Sequence, residues 1–273
     1  STGERGARMA DTPQHNISPG QLMVFIVSAQ LGLGIFGLTR HAVERLGHAG
    51  WWLVLALGIV SIGGVGLIAR LCGRFQASIL AINRKVLGEF LGTSANYLIL
   101  LELLAASIAS LALFIQIMKI FFFRETPFPV LIAFLSTPLI YIAAKGLKTA
   151  ARFDSFVYIA VLALMGMVLA AWKDAEWTFL LPLTTFKTTA FLPTALRLAF
   201  SYIGFELLLV VYPWVRGGKQ APAALAATGL TTLVLTGFVV FATAYFGEEM
   251  IIKQVFSLLN MVRSLTAPVI RSE

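Results

Sequence analysis

Long uninterrupted apolar segments constrain this chain more than any other feature. A helix rises 1.5 Å per residue, so about 20 apolar residues cross the roughly 30 Å hydrocarbon core of a bilayer. The stretch 51–69 has no ionisable residue, and 223–246 is uncharged over its whole length. The predicted spans are 20–39, 51–70, 96–118, 128–145, 153–172, 194–215 and 223–246. These seven segments predict an all-α integral membrane protein.

The composition excludes the common soluble classes. Hydrophobic residues make up 58% of the 273 residues and charged residues only 12%, against about 25% charged in a soluble domain. The net charge of +8 does not indicate nucleic-acid binding, because the basic residues lie mostly between the apolar segments. The single cysteine, Cys72, excludes an intrachain disulfide framework and a cysteine-based metal site.

The loops predict the topology. Basic residues cluster in the short loops at 70–85 and 145–152, which places the N-terminus in the cytoplasm. All five tryptophans lie at or just beyond the end of a predicted span, as expected of an interfacial belt. Residues 1–16 are predicted to be a disordered cytoplasmic tail and 17–273 a transmembrane permease-like domain. Within that domain, 255–267 is predicted to be an amphipathic segment at the membrane surface.

The first span contains the sharpest local motif, Gly32-Leu-Gly34-Ile-Phe-Gly37. A dinucleotide-binding site would need a preceding strand and an acidic residue about 20 positions later, and neither is present. Two interpretations stay open. The glycines let neighbouring helices approach closely, or they break the helix in the membrane and expose backbone groups to a cavity.

The sixth span has a similar interruption. Its centre reads Ser201-Tyr-Ile-Gly204-Phe-Glu206, with a glycine beside an ionisable residue. Two interrupted spans five apart are typical of a transporter fold built from inverted five-helix repeats, in which both breaks frame one midplane site. The N-termini exposed at such breaks favour anions, and the unpaired carbonyls favour cations.

Glu102 and Glu206 are predicted to be the carboxylates well inside the membrane. Because a charge there costs at least about 2.5 kcal/mol, such a residue faces a cavity or finds a partner. One hypothesis is a proton- or ligand-linked carboxylate. The other is a structural pair with Arg197, Lys119 or a nearby hydroxyl. Arg197 itself lies near a span end and is predicted to extend to the interface.

No enzyme chemistry is indicated. His15, His41 and His48 fall outside the predicted spans, lack metal-ligand spacing and are interpreted as solvated loop residues. No Ser/His/Asp set lies at membrane depth. We therefore expect no catalytic residue, no metal and no cofactor.

Six short motifs, in order, carry a family resemblance over 17–273. The chain resembles the B subunit of bacterial spore germination receptors, the GerAB-type spore permeases of the amino acid–polyamine–organocation superfamily. The resemblance implies the LeuT-like inverted-repeat fold. Family members resemble ten-span proteins, so seven spans lead us to expect a truncated chain that ends before spans eight to ten. The motifs are Ile17–Gln21, Lys145–Arg152, Leu180–Pro182, Gly204–Glu206 with Tyr212-Pro213, Phe246–Glu249 and 258–264.

The resemblance also implies a function. It implies a subunit in the inner membrane of the spore that senses a small germinant, typically an amino acid, together with A and C subunits. The alternative is a proton- or sodium-coupled amino acid transporter. The partners expected are the germinant, these two subunits and the lipid bilayer, and no nucleic acid. Glu102 is a further candidate intramembrane carboxylate. The implied pocket residues are Gly32, Gly34, Ile35, Gly37, Ser201, Gly204, Phe205 and Glu206.

Overall fold

The computed structural model describes residues 16–32, 34–181, 191–254 and 256–262. The predicted tail over 1–16 lies outside the described residues except for its last position. The same holds for much of the segment predicted to be amphipathic over 255–267, of which 257–262 is helical.

The described part of the chain is helical and contains no β-strand. Short 3-10 turns connect or extend several of the helices. The α-helices are α1 (Pro19–Leu31), α2 (Gly34–Leu46), α3 (Gly50–Phe75), α4 (Ile79–Phe121), α5 (Phe128–Ala144), α6 (Leu147–Ala170), α7 (Phe191–Ala199), α8 (Leu207–Val211) and α9 (Gln220–Lys253).

Each predicted span coincides with helical structure. Spans one and six are each divided, into α1 with α2 and into α7 with α8. Within the described ranges, four helical segments are long and apolar enough to cross a membrane, so the chain is a multi-pass membrane protein. Those segments are Gly34–Phe75, Ile79–Phe121, Phe191–Trp214 and Gln220–Lys253. Two shorter apolar helices, α1 and α5, accompany them.

The start of α1 explains one motif of the sequence. Ser18 is the N-cap residue, and its Oγ accepts a hydrogen bond from the backbone N–H of Gln21 at 3.1 Å. The side chain of Gln21 accepts in return from the N–H of Ser18 at 2.9 Å. Pro19 occupies the first helical position, where its missing N–H costs nothing. The motif is a capping box that fixes where the first span begins.

The centre of the molecule is α9, which packs against α1, α2 and α3. Its buried face carries alanines and threonines, among them Ala224, Ala227 and Thr228. Small side chains let helices approach closely in a membrane, where packing rather than water exclusion drives association. The same close approach occurs on α3, where a Cβ on Gly58 would overlap Thr232. This core holds the divided spans in place.

Helices α4 and α5 lie at the periphery. Their large apolar side chains, including Phe90, Leu98 and Phe134, are exposed. In a membrane protein such a surface faces lipid tails or another membrane protein. Helix α4 contacts α5 and α8, and it bends at Gly88, whose φ is +80°.

Candidate ligand-binding site

The first span breaks between α1 and α2. Helix α1 ends at Leu31, and Gly32 follows it with a non-helical backbone. The N–H of Gly32 still donates to the carbonyl of Ser28 at 2.9 Å. Helix α2 then begins at Gly34. The glycine motif therefore divides the span, in agreement with the second of the two interpretations of this motif.

The sixth span breaks at Gly204. A 3-10 turn over Phe200–Tyr202 leads into Ile203, whose ψ of 140° is extended. The φ of Gly204 is +126°, a conformation that a residue with a Cβ rarely adopts. Both carboxylate oxygens of Glu206 accept from the N–H of Gly204, at 2.9 and 2.8 Å. Glu206 thus satisfies a backbone group that the break leaves free.

The two breaks contact each other directly. Ser201 donates from its Oγ to the carbonyl of Gly34 at 3.2 Å. Gln30 donates from Nε2 to the carbonyl of Tyr202 at 3.1 Å. A Cβ built on Gly204 would lie 2.8 Å from the Cβ of Ala29, so only glycine permits this approach. Residues about 170 positions apart therefore form one structural unit.

A cavity of about 630 Å³ extends from this contact toward the end of the molecule where α2 and α4 finish and α7 begins. This volume lies in the range of small-molecule sites, roughly 300–1,000 Å³. Its walls come from α1, α2, α4 and α7, with Phe256 from the C-terminal segment. The lining polar residues are Gln30, Arg40, His41, Ser110, Gln116, Arg197 and Ser201.

The cavity includes some of the residues predicted from sequence and not others. Gly34, Gly37 and Ser201 line it. Ile35 is buried in the core, and the ring of Phe205 packs near Gly64 on α3. Gly204 supports the wall through its contact with Ala29. The predicted residues that are absent from the lining are Gly32, Ile35, Gly204, Phe205, Glu206 and Glu102.

Three basic side chains, Arg40, His41 and Arg197, line the cavity, and none of them was predicted from the sequence to be a pocket residue. His41 was interpreted as a solvated loop residue, but it lies within α2 and is partly buried. Gly37, Arg40 and His41 follow each other at i, i+3 and i+4, so they share one face of α2. Arg197 approaches from α7 and interacts electrostatically with His41. The helical periodicity of 34–46 is the sequence signal that could have placed His41 on a helix. The buried residues of α2 lie on one side of this helix, and the basic residues lie on another.

The membrane carboxylates occupy different positions. Glu102 is exposed on α4, yet it lies close enough to Glu206 for their charges to interact. Sequence reasoning missed Asp154, which packs near Ser28 between α6 and α1 and has a buried, unpartnered Oδ2. The sequence signal that could have identified Asp154 is its position at the start of the predicted span 153–172. No group of three or more metal-ligating side chains occurs among residues 16–32, 34–181, 191–254 and 256–262.

The opposite end of the two spans is closed. Ile17 and Val215 form an isolated parallel β-bridge. The N–H of Ile17 donates to the carbonyl of Trp214, and the N–H of Arg216 donates to the carbonyl of Ile17, both at 3.0 Å. Ile17 is fully buried. We call this the sealed end of the two spans, and the end at which the cavity lies the open end.

Comparison with known proteins identifies the relatives of this chain. A family model described as spore germination protein, the spore permease family, matches residues 16–272. The chain is 23% identical over 258 residues to spore germination protein GerQB of Bacillus cereus, covering 94% of this chain and 72% of that protein. It is also 23% identical over 224 residues to spore germination protein B2 of Bacillus subtilis strain 168. That match covers 81% of this chain, which spans only 61% of the Bacillus subtilis protein.

Proposed function

The chain belongs to the spore permease family of spore germination proteins, and from that premise we propose that it senses a small nutrient as the membrane subunit of a germinant receptor. The nutrient is an amino acid, and it binds in the cavity between the broken first and sixth spans. The observation that carries the proposal is the direct contact of the two breaks, Ser201 with Gly34, at the base of that cavity.

Sensing requires that binding change the conformation. A ligand moves an equilibrium between two states only by its difference in affinity for them. Because both halves of the first span and the first half of the sixth span line the cavity, a ligand held there favours one relative placement of these segments. Opening or strengthening the Ile17–Val215 bridge at the other end then carries the change across the membrane.

Family membership also supports a proposed location for the protein. It lies in the inner membrane of the spore with its N-terminus in the cytoplasm, so that the open end of the cavity faces the outer side. The A and C subunits of the receptor assemble with it and receive the conformational signal. The exposed apolar helices α4 and α5 offer surface for lipid and for such partners.

A germination assay with the complete protein tests the proposal. Spores carrying Gly34→Leu should assemble the receptor but lose their response to the amino acid that triggers wild-type spores, because the new side chain meets the backbone of Ser201 and separates the two breaks at the base of the cavity. Gly63→Leu is the matched control, since Gly63 is an exposed helical glycine with no atom within 4 Å of its Cβ position. Normal germination of the Gly34→Leu spores would overturn the proposal.

A coupled amino acid transporter is the second candidate. The electrostatic interaction between Glu102 and Glu206 favours it, because intramembrane carboxylates mark ion pathways and proton relays. Accumulation of labelled amino acid in vesicles that depends on a proton or sodium gradient would support the transporter. Germination responses without such accumulation would support the sensor.

A further inference from the structure

We propose that the ligand of the cavity carries a carboxylate and that the guanidinium of Arg197 binds it. The inference rests on the proposed function. It identifies the anionic end of the ligand and the residue that selects it.

The charges around the cavity point to an anion. Arg40, His41 and Arg197 line it, and no Asp or Glu is among the described residues that do. Glu44 is nearby, but it pairs with Arg40, with 3.7 Å between Nε and Oε2. Arg197 forms no ion pair with any residue in the described ranges. A basic side chain at a membrane cavity without its own counter-charge favours an anionic ligand.

Arginine suits a carboxylate in particular. Its planar guanidinium presents parallel N–H donors that match the two oxygens, and such charge-assisted pairs are about twice as strong as neutral hydrogen bonds. Phe200 and Leu113 line the same cavity and give it an apolar wall beside Arg197.

The alternative anion position at the break in span six is already filled. A helix N-terminus with free N–H groups attracts a carboxylate. Here Glu206 supplies that carboxylate from the chain itself, with both of its oxygens on the N–H of Gly204. A ligand carboxylate would have to displace Glu206 to bind at this position. The basic side chains of α2 and α7 remain as the cationic partners in the cavity.

The other end of the ligand has a matching acceptor. Gln30 is almost completely buried and lines the cavity. Its Nε2 donates to Tyr202, and its Oε1 is left buried without a hydrogen-bond partner. A buried acceptor of this kind is costly unless a donor reaches it. An ammonium group of the ligand supplies that donor, so the cavity fits a zwitterionic amino acid with its carboxylate toward Arg197.

The test uses the purified complete protein and the twenty common L-amino acids as probes. Each one that raises the melting temperature is compared with its own carboxamide, which keeps the ammonium and removes the negative charge. Arg197→Gln and Arg197→Lys are then titrated with the same amino acid. Arg45→Gln is the matched control, because Arg45 is an exposed arginine at the same end of α2 that does not line the cavity.

We expect the carboxamide and the Arg197→Gln variant each to weaken binding by about ten- to a hundredfold, the range of a charge-assisted hydrogen bond. Arg197→Lys should restore part of the affinity, and Arg45→Gln should bind as wild type. Equal binding of the amino acid and its carboxamide by wild-type protein would overturn this inference and leave the proposed function standing. A folded wild-type protein that binds none of the twenty amino acids would overturn both.

Discussion

Ser201 and Gly34 are 167 residues apart in the chain, and the hydroxyl of Ser201 donates to the carbonyl of Gly34 at 3.2 Å. A Cβ added to Gly34 would lie 2.6 Å from the Cα of Ser201. The contact therefore joins the two broken spans and depends on the absence of a side chain at residue 34. It closes the base of the cavity that we propose as the nutrient site.

Gly34→Ala should destabilise the protein for this reason. The new methyl meets backbone rather than a flexible side chain, so the two spans must separate, at a cost of about 1–3 kcal/mol. Gly63→Ala, at an exposed helical glycine with free space around it, should be neutral or slightly stabilising. Thermal unfolding of both variants in detergent measures the difference. Equal melting temperatures of Gly34→Ala and Gly63→Ala would contradict the close contact between Gly34 and Ser201.

Gly204→Ala should cost more than Gly217→Ala. Both glycines have positive φ, +126° and +83°, so alanine is strained at each by about 1–2 kcal/mol. Only at Gly204 does the methyl also overlap Ala29, at 2.8 Å. The difference between the free energies of unfolding of the two variants measures the cost of the overlap with Ala29 beyond the backbone strain that both share. An equal loss of stability in the two variants would contradict the close approach of Gly204 to Ala29 on α1.

Removing the carboxylate of Glu206 should destabilise the break in span six. Glu206→Ala leaves the buried N–H of Gly204 without an acceptor, a loss of about 1–3 kcal/mol. Glu206→Gln keeps one oxygen acceptor and should lose less. Glu89→Gln, at an exposed position on α4, serves as the control. Denaturant unfolding should rank the stabilities as Glu89→Gln, then Glu206→Gln, then Glu206→Ala, and any other order argues against this role.

The sealed end should respond to the ligand if the protein senses by changing conformation. Cysteines at Ile17 and Val215, in a Cys72→Ala background, should form a disulfide, because these residues pair in a β-bridge. The cross-linked receptor should bind the amino acid but fail to trigger germination. Reduction of the disulfide should restore the response. A cross-linked receptor that germinates normally would show that this end does not move in signalling.

Local features of the fold were accessible from sequence because their causes are local. The capping box of Ser18 and Gln21 and the break at Gly204 follow from residue types a few positions apart. The all-helical class and the membrane-spanning segments follow from apolar length. The inverted repeat and the count of seven spans remain predictions.

The composition of the cavity was not accessible in the same way. Ser110 and Gln116 enter its wall only because of how α4 is rotated against the other helices, and rotation depends on tertiary packing. The assignment of Glu206 to the pocket stays a prediction, and the two hydrogen bonds that its oxygens accept from the N–H of Gly204 depend on the backbone conformation of the break. Arg197 was predicted to extend to the membrane interface. In the structure it lines the cavity, because α1, α2 and α4, which are distant in sequence, form the other walls there.

Direct ligand binding by the purified complete protein tests the central claim, that the contact of the two broken spans forms a nutrient site. Thermal unfolding is followed with each of the twenty L-amino acids, for wild type, Gly34→Leu and Gly63→Leu. A ligand at a hundred times its Kd should stabilise the folded protein by about 2.7 kcal/mol. We predict such a shift for at least one amino acid in wild type and Gly63→Leu, and none in folded Gly34→Leu. An equal shift in Gly34→Leu, or no shift in any folded form, would contradict the account.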